Sequence, residues 1–396
     1  TFEAKALAGK VDITLGEHSL ARVEPYDVEA GETRTGRCRY KPLGVLAVVG
    51  PFNFPAHLPN GHFVPALLLG NTIVFKPSEK TAAVGQLLAE LMHEAELPPG
   101  VFNVVQGGAE VAAPLVEHED IDGVLFTGSW GVGRRIVEAN LDRPGRMLAL
   151  EMGGNAPAVI MPDADLEQAI IETVRAGYAT SGQRCTCTRR VIVHEGVADT
   201  VIPLLAKTAS TLMIGPGESS EPVFMGPVIS DDAADAVLAF QRSLVERGGR
   251  IVVESVRPEQ DGHYVTPGLV EVPGYSVEHD EEVFGPLLQV CRVASLDEAI
   301  EQANATRYGL AAAIFTRDDA AWERFFRACR AGCINRNTGT AGASSKLPFG
   351  GVGLSGNLRP AGAFSSEYCA VPVASMVEES AGASVPAGMH WDPAWL

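Results

Sequence analysis

Between Leu43 and Pro162 the chain alternates short apolar runs with helix-patterned stretches, and this alternation limits the fold more than any other feature. Val45 to Val49 is an apolar run bounded by Gly44 and Gly50, and Thr72 to Phe75 is a second, ending at Lys76-Pro77. Val101 to Val105 and Val124 to Phe126 are a third and fourth, with Thr81 to Glu94 and Gly131 to Asn140 patterned as helices between them. Strand and helix in alternation predict an α/β fold: a parallel sheet with helices on both faces. Runs that are apolar throughout fit strands buried in such a sheet.

A second α/β unit follows. Asp165 to Tyr178 places Leu166, Ala169, Ile170, Thr173 and Val174 on one helical face, and Asp163 or Asp165 is positioned to cap it. Val201 to Leu212 and Asp231 to Arg247 also read as helices. Arg190 to Val193, Arg250 to Val253, Leu287 to Val290 and Ala311 to Phe315 read as strands. Arg22 to Lys41 is polar and turn-rich, which suits a hairpin arm, and Glu378 to Leu396 reads as a frayed tail.

Composition excludes several classes. A chain of 396 residues, 46% hydrophobic and 20% charged, can bury a large core in two or three domains. Its net charge of −18 repels a phosphate backbone and argues against a nucleic-acid partner. No apolar run reaches membrane-spanning length and Thr1 to Lys10 does not read as a signal peptide, so a cytoplasmic location is expected. The seven cysteines are scattered and odd in number, unlike a disulfide framework, and neither Cys185-x-Cys187 nor Cys329-x3-Cys333 has the neighbours of a zinc set. No metal is expected.

Several segments carry candidate chemistry, each with an ordinary alternative. In Ser181-Gly182-Gln183-Arg184-Cys185-Thr186-Cys187, Gly182 permits a tight turn that presents Cys185, and Arg184 would favour a thiolate if it turns toward the sulfur. A lone cysteine is otherwise a small buried hydrophobe. Glu151, followed by Gly153-Gly154, ends a strand where a cleft would lie; alternatively it is a surface turn residue. Asn53, in Pro51-Phe52-Asn53-Phe54-Pro55, is pre-oriented as an oxyanion donor requires, or satisfies its own turn. Lys76 ends a strand at the carboxyl edge of the sheet, where ligands bind in open α/β folds, and with Glu79 could hold the two ribose hydroxyls of an adenosine, or both are a solvated turn. Phe126-Thr127-Gly128-Ser129-Trp130-Gly131-Val132-Gly133 is a strand-to-helix turn able to offer N–H groups to a phosphate, or an ordinary glycine-rich turn. Glu282-Val283-Phe284-Gly285-Pro286 and Leu347-Pro348-Phe349-Gly350-Gly351-Val352-Gly353 are loops that could close over a ligand or simply turn the chain.

Taken in order, these seven segments resemble the aldehyde dehydrogenase superfamily from about Leu43 to Pro372. The resemblance implies a Rossmann-like parallel-sheet cofactor domain at 1–22 and 42–153 and an α/β catalytic domain at 154–353. It also implies an oligomerisation arm at 23–41 and 369–378, a return segment at 354–368 and a flexible tail at 379–396. It implies Cys185 as nucleophile, Glu151 as general base and Asn53 as oxyanion donor. Lys76, Ser78, Glu79, Gly128, Ser129, Gly133, Glu282 and Phe284 would contact NAD, with Glu79 repelling the extra phosphate of NADP. A homodimer or homotetramer is expected.

The segments Phe54 to His62, Gly182 to Arg190 and Gly342 to Ser345 narrow the likeness to members acting on a semialdehyde with two carboxylates. Against a net charge of −18 such a substrate needs local cations, and Arg184 and Arg336 are the candidates. Another aldehyde, or a catalytically silent homologue, are the alternatives. Two departures stand out. By the resemblance the chain starts within the family's N-terminal domain, without its leading helices and strands. And Arg359-Pro360 stands where many members carry an acidic residue, so Glu151 is expected to work without that relay partner.

Overall fold

The computed structural model describes residues 2–380 and 382–396. Its first sheet has five strands, all parallel, in the spatial order Phe102–Val104, Thr72–Lys76, Val45–Val49, Gly123–Thr127, Met147–Glu151. The chain moves outward from Val45–Val49 on one side, then crosses back to add Gly123–Thr127 on the other. In an open parallel sheet this reversal leaves a crevice beyond the carboxyl ends of the two central strands. Gly50 to Asn53 and Gly128-Ser129 lie there. Leu46, Val48, Ile73, Phe75 and Leu125 are wholly buried on one face, and Ala47 and Val124 on the other.

The second sheet has seven strands in the order Arg250–Val253, Gly268–Glu271, Leu287–Val293, Thr188–His194, Ala156–Ile160, Ala311–Phe315, Cys333–Arg336. Only the edge strand Arg250–Val253 is antiparallel. The helix Leu166–Tyr178 covers it with Ala169, Ile170, Thr173 and Val174. Asp165, not Asp163, caps that helix by accepting from Gln168 N at 3.1 Å. Asp163 instead ties down the Thr316 hydroxyl and the N–H groups of Arg317 and Asp318.

Tyr26–Glu29, Arg34–Pro42 and Ala370–Glu378 form a separate antiparallel sheet, with Arg34–Pro42 paired along the whole of Ala370–Glu378. The sequence reading missed the strands Ala156–Ile160, Gly268–Glu271 and Cys333–Arg336 and the helix His57–Leu68, which carries Pro59 and Pro65. Arg336, one of the two candidate cations, is the last residue of its strand. Among the described residues no helix is long and apolar enough to cross a membrane.

Candidate active site

The helix Leu166–Tyr178 ends in a reversal that the sequence marks only at Gly182. Thr180, Ser181 and Gly182 all take left-handed backbone conformations, with φ of 57°, 55° and 70°. Two successive non-glycine residues there store strain. Ser181 Oγ anchors the turn by donating to Gly226 O at 2.7 Å. Gly182 is required twice over, because a Cβ would run into the Gly285 carbonyl. The turn delivers Cys185 to the wall of a cavity of about 660 Å³ that also exposes Asn53 and Glu151.

Asn53 reaches this cavity from the end of Val45–Val49, and its Nδ2 donates to Gln183 O at 2.9 Å. One amide hydrogen is thereby committed and the other remains. Glu151 ends Met147–Glu151, and the loop around Gly350 closes over it: a Cβ on Gly350 would stand 2.9 Å from Glu151 Oε1. Oε2 of Glu151 is buried without a hydrogen-bond partner among the described residues. Burial raises the Glu151 carboxyl well above the usual carboxylate range. Arg359 is turned to the Leu358 carbonyl, 3.3 Å away, and Pro360 packs beside Gly350.

Burial also pushes the Cys185 thiol up to about 12, reinforced by the charges of Glu282 and Glu151. The sequence offered Arg184 as the balancing cation. In the structure Arg184 faces elsewhere, donating from Nε to Thr180 Oγ1 at 2.8 Å with its guanidinium over the Phe54 ring. Arg189 is the cation whose charge opposes this rise, without overcoming it; it is buried and donates to Arg184 O at 3.1 Å and to Glu282 Oε1 at 3.3 Å. No sequence signal separated it from its neighbour Arg190. Cys187 is wholly buried and does not line the cavity.

Lys76, Ser78, Glu79, Gly128, Ser129, Glu282 and Phe284 line the same cavity. Lys76 is 4% exposed and its Nζ meets Glu79 Oε2 at 3.3 Å. Ser129 caps the helix Trp130–Ala139, accepting from Val132 N at 3.4 Å, so the helix opens toward the cavity. Glu282 Oε1 accepts from Gly154 N at 2.9 Å, while Phe284 stands edge-on to Phe52. Three expected contacts are not at the cavity. Gly133 lies inside its helix, where a Cβ would collide with Met152. Arg184 is the second, and the third is Arg336, whose Nη1 is paired with Asp319 at 2.5 Å and whose Nε donates to Thr316 O at 3.2 Å. Sequence reasoning missed Lys10 and His57 as lining residues.

The model of the aldehyde dehydrogenase family matches residues 5–372. The chain belongs to the aldehyde dehydrogenase family. It is 47% identical to N-succinylglutamate 5-semialdehyde dehydrogenase 1 of Caulobacter vibrioides over 98% of this chain and 82% of that one. The protein of the same enzyme name from Novosphingobium aromaticivorans is 43% identical over 98% of this chain and 83% of its own length. The crystal structure of PnpE with nicotinamide adenine dinucleotide superposes with a TM-score of 0.87 at 30% identity, over 95% of this chain and 84% of that one.

The family chemistry is oxidoreductase chemistry with a nicotinamide dinucleotide, and the residues present fit that group. A buried lysine beside an exposed glutamate suits ribose hydroxyls, and an open helix N-terminus suits a pyrophosphate. Among the described residues no cluster of His, Cys, Asp and Glu is placed to hold a metal ion.

Proposed function

We propose that this dehydrogenase oxidises N-succinyl-L-glutamate 5-semialdehyde to N-succinyl-L-glutamate, using NAD, as a step of arginine breakdown. The observation that carries the chemistry is the convergence of Cys185, Glu151 and Asn53 on one cavity with the Lys76–Glu79 pair. The substrate rests on the two relatives of that name, at 47% and 43% identity over nearly the whole chain.

In this reading Cys185 Sγ, as the thiolate, attacks the aldehyde carbon and the carbonyl oxygen becomes an oxyanion. The free hydrogen of Asn53 Nδ2 and the Cys185 backbone N–H stabilise it. The bound dinucleotide supplies the hydride acceptor. Loss of hydride from the adduct leaves a thioester on Cys185. Glu151 Oε2, unpartnered at rest, takes a proton from water, and the resulting hydroxide attacks the thioester carbon. The acid leaves and the thiolate is restored. Burial serves this role, because a carboxylate raised above its usual range is a stronger base than a solvated one.

Glu79 next to Lys76 favours two ribose hydroxyls over a 2′-phosphate, which supports NAD over NADP. Among the described residues, one edge of the arm strand Ala370–Glu378 is unpaired and Met376 is exposed, which supports a homo-oligomer built through this sheet. The test is dinucleotide reduction with a panel of aldehydes. N-succinyl-L-glutamate 5-semialdehyde should exceed a neutral aldehyde of similar length in kcat/KM by a wide margin, and equal values overturn the substrate assignment.

A further inference from the structure

A dianionic substrate needs a cation inside the cavity, and neither arginine expected from the sequence is there. Lys80, at the dinucleotide end, is exposed, and Lys76 is already paired with Glu79. The remaining lysine on the cavity wall is Lys10, from the helix Phe2–Thr14. It is 8% exposed, and among the described residues no hydrogen bond or ion pair engages its ammonium. A buried ammonium without a counter-ion is costly and calls for an anion from elsewhere.

The surrounding packing holds Lys10 in this position. The helix Phe2–Thr14 lies across His57–Leu68, where Asn60 Nδ2 donates to Leu7 O at 3.1 Å. Glu3, an acid on the same helix, accepts from the N–H groups of Ala56 and His57, both at 2.7 Å, and so is spent on the neighbouring helix. The lysine passes over Gly61, where a Cβ would stand 3.3 Å from Nζ. Any larger residue at 61 would press on the ammonium. His57 and His62 share this wall, and both are held neutral by burial and by the charge of Lys10, which pushes them down to about 4 and about 3. His62 Nδ1 faces Tyr368 OH at 3.0 Å. The local field is that of one uncompensated positive charge.

We infer that Lys10 receives a carboxylate of the substrate and selects carboxylated aldehydes over neutral ones. This rests on the reading of the substrate as an anionic semialdehyde. A charge-assisted hydrogen bond on a desolvated wall discriminates strongly, because the ammonium stays unpaired when a neutral aldehyde binds. Desolvation alone lowers the ammonium of Lys10 to about 8, and an arriving carboxylate would restore it.

The test compares wild type with Lys10→Met, Lys10→Gln and Lys10→Arg, using N-succinyl-L-glutamate 5-semialdehyde, other carboxylated aldehydes and a neutral aliphatic aldehyde. Lys10→Met should raise KM for the dianion roughly ten- to hundredfold, with a smaller change in kcat. The anionic-to-neutral ratio of kcat/KM should fall by the same factor, and Lys10→Arg should recover part of it. N-succinyl-L-glutamate should raise the melting temperature of wild type and not that of Lys10→Met. Lys10→Gln repeats the comparison if the methionine variant folds poorly. An unchanged ratio in a folded variant, or equal losses on both aldehyde types, overturns the role of Lys10 and leaves the substrate reading standing. A wild type that prefers a different carboxylated aldehyde, with a loss on Lys10→Met confined to that class, overturns the substrate and keeps Lys10. A wild type indifferent to carboxylates overturns both.

Discussion

Asn53→Ala separates an oxyanion donor from a structural turn residue. The side-chain Nδ2 has two hydrogens; one is held by Gln183 O at 2.9 Å, and among the described residues no acceptor holds the other. Truncation removes both. Losing the free hydrogen deletes one donor to the developing oxyanion, a change of about 3 kcal/mol and so roughly a hundredfold in kcat. Losing the held one costs about 1 kcal/mol of stability and loosens the turn that carries Cys185. Three measurements divide the effects: steady-state kcat and KM, thermal unfolding, and the rate at which a small alkylating agent labels Cys185. The expected pattern is a kcat lower by about two orders of magnitude, KM changed by less than about threefold, and labelling close to wild type. If kcat stays within roughly tenfold of wild type, Asn53 is not the donor. If labelling slows in parallel with kcat, Asn53 acts by positioning the Gln183–Cys185 turn.

Cys185→Ala should abolish aldehyde oxidation while Cys187→Ala, at a wholly buried site off the cavity, keeps most of it; mass-spectrometric mapping that finds Cys187 alkylated before Cys185 would reverse the assignment. Glu151→Gln should slow thioester hydrolysis more than hydride loss, giving a burst of reduced dinucleotide in rapid mixing, and wild-type turnover would remove Glu151 as the base. Because burial raises the Glu151 carboxyl, the base is lost by protonation as pH falls through that raised value, so wild-type kcat should drop on the acid side above the usual carboxylate range, and the limb should vanish in Glu151→Gln. Glu79→Gln should narrow the preference for NAD over NADP, since its carboxylate is half-exposed and only partly screened; a wild type that uses NADP better refutes the reading of the Lys76–Glu79 pair.

What the sequence revealed follows from how local each signal is. Val45 to Val49 and Thr72 to Phe75 are legible because a strand buried on both faces has to be apolar along its whole length, and glycine or proline marks its ends. Asn53, Glu151 and Cys185 are legible because each sits at a strand end or a turn with its own glycine or proline signature, so the local backbone already aims it. Arg184 failed for the opposite reason. Its place beside Cys185 says nothing about its side chain, which lies on Phe54, while the positive charge acting on the thiol comes from Arg189, four residues beyond Cys185. Arg336 failed because its strand, Cys333–Arg336, begins with cysteine and ends in polar residues, resembling a turn until Ala311–Phe315 pairs with it. Lys10 had no local signal at all. It lies more than thirty residues before Val45 to Val49, the first apolar run of the parallel sheet, and its helix shows no apolar stripe to orient it. Only the crossing of two helices at Gly61 turns an ordinary lysine into a buried cation on the cavity wall. Placement fixed by backbone geometry, as for the three residues that meet at the cavity, could be read ahead of the structure, whereas the points where long side chains end required the tertiary contacts.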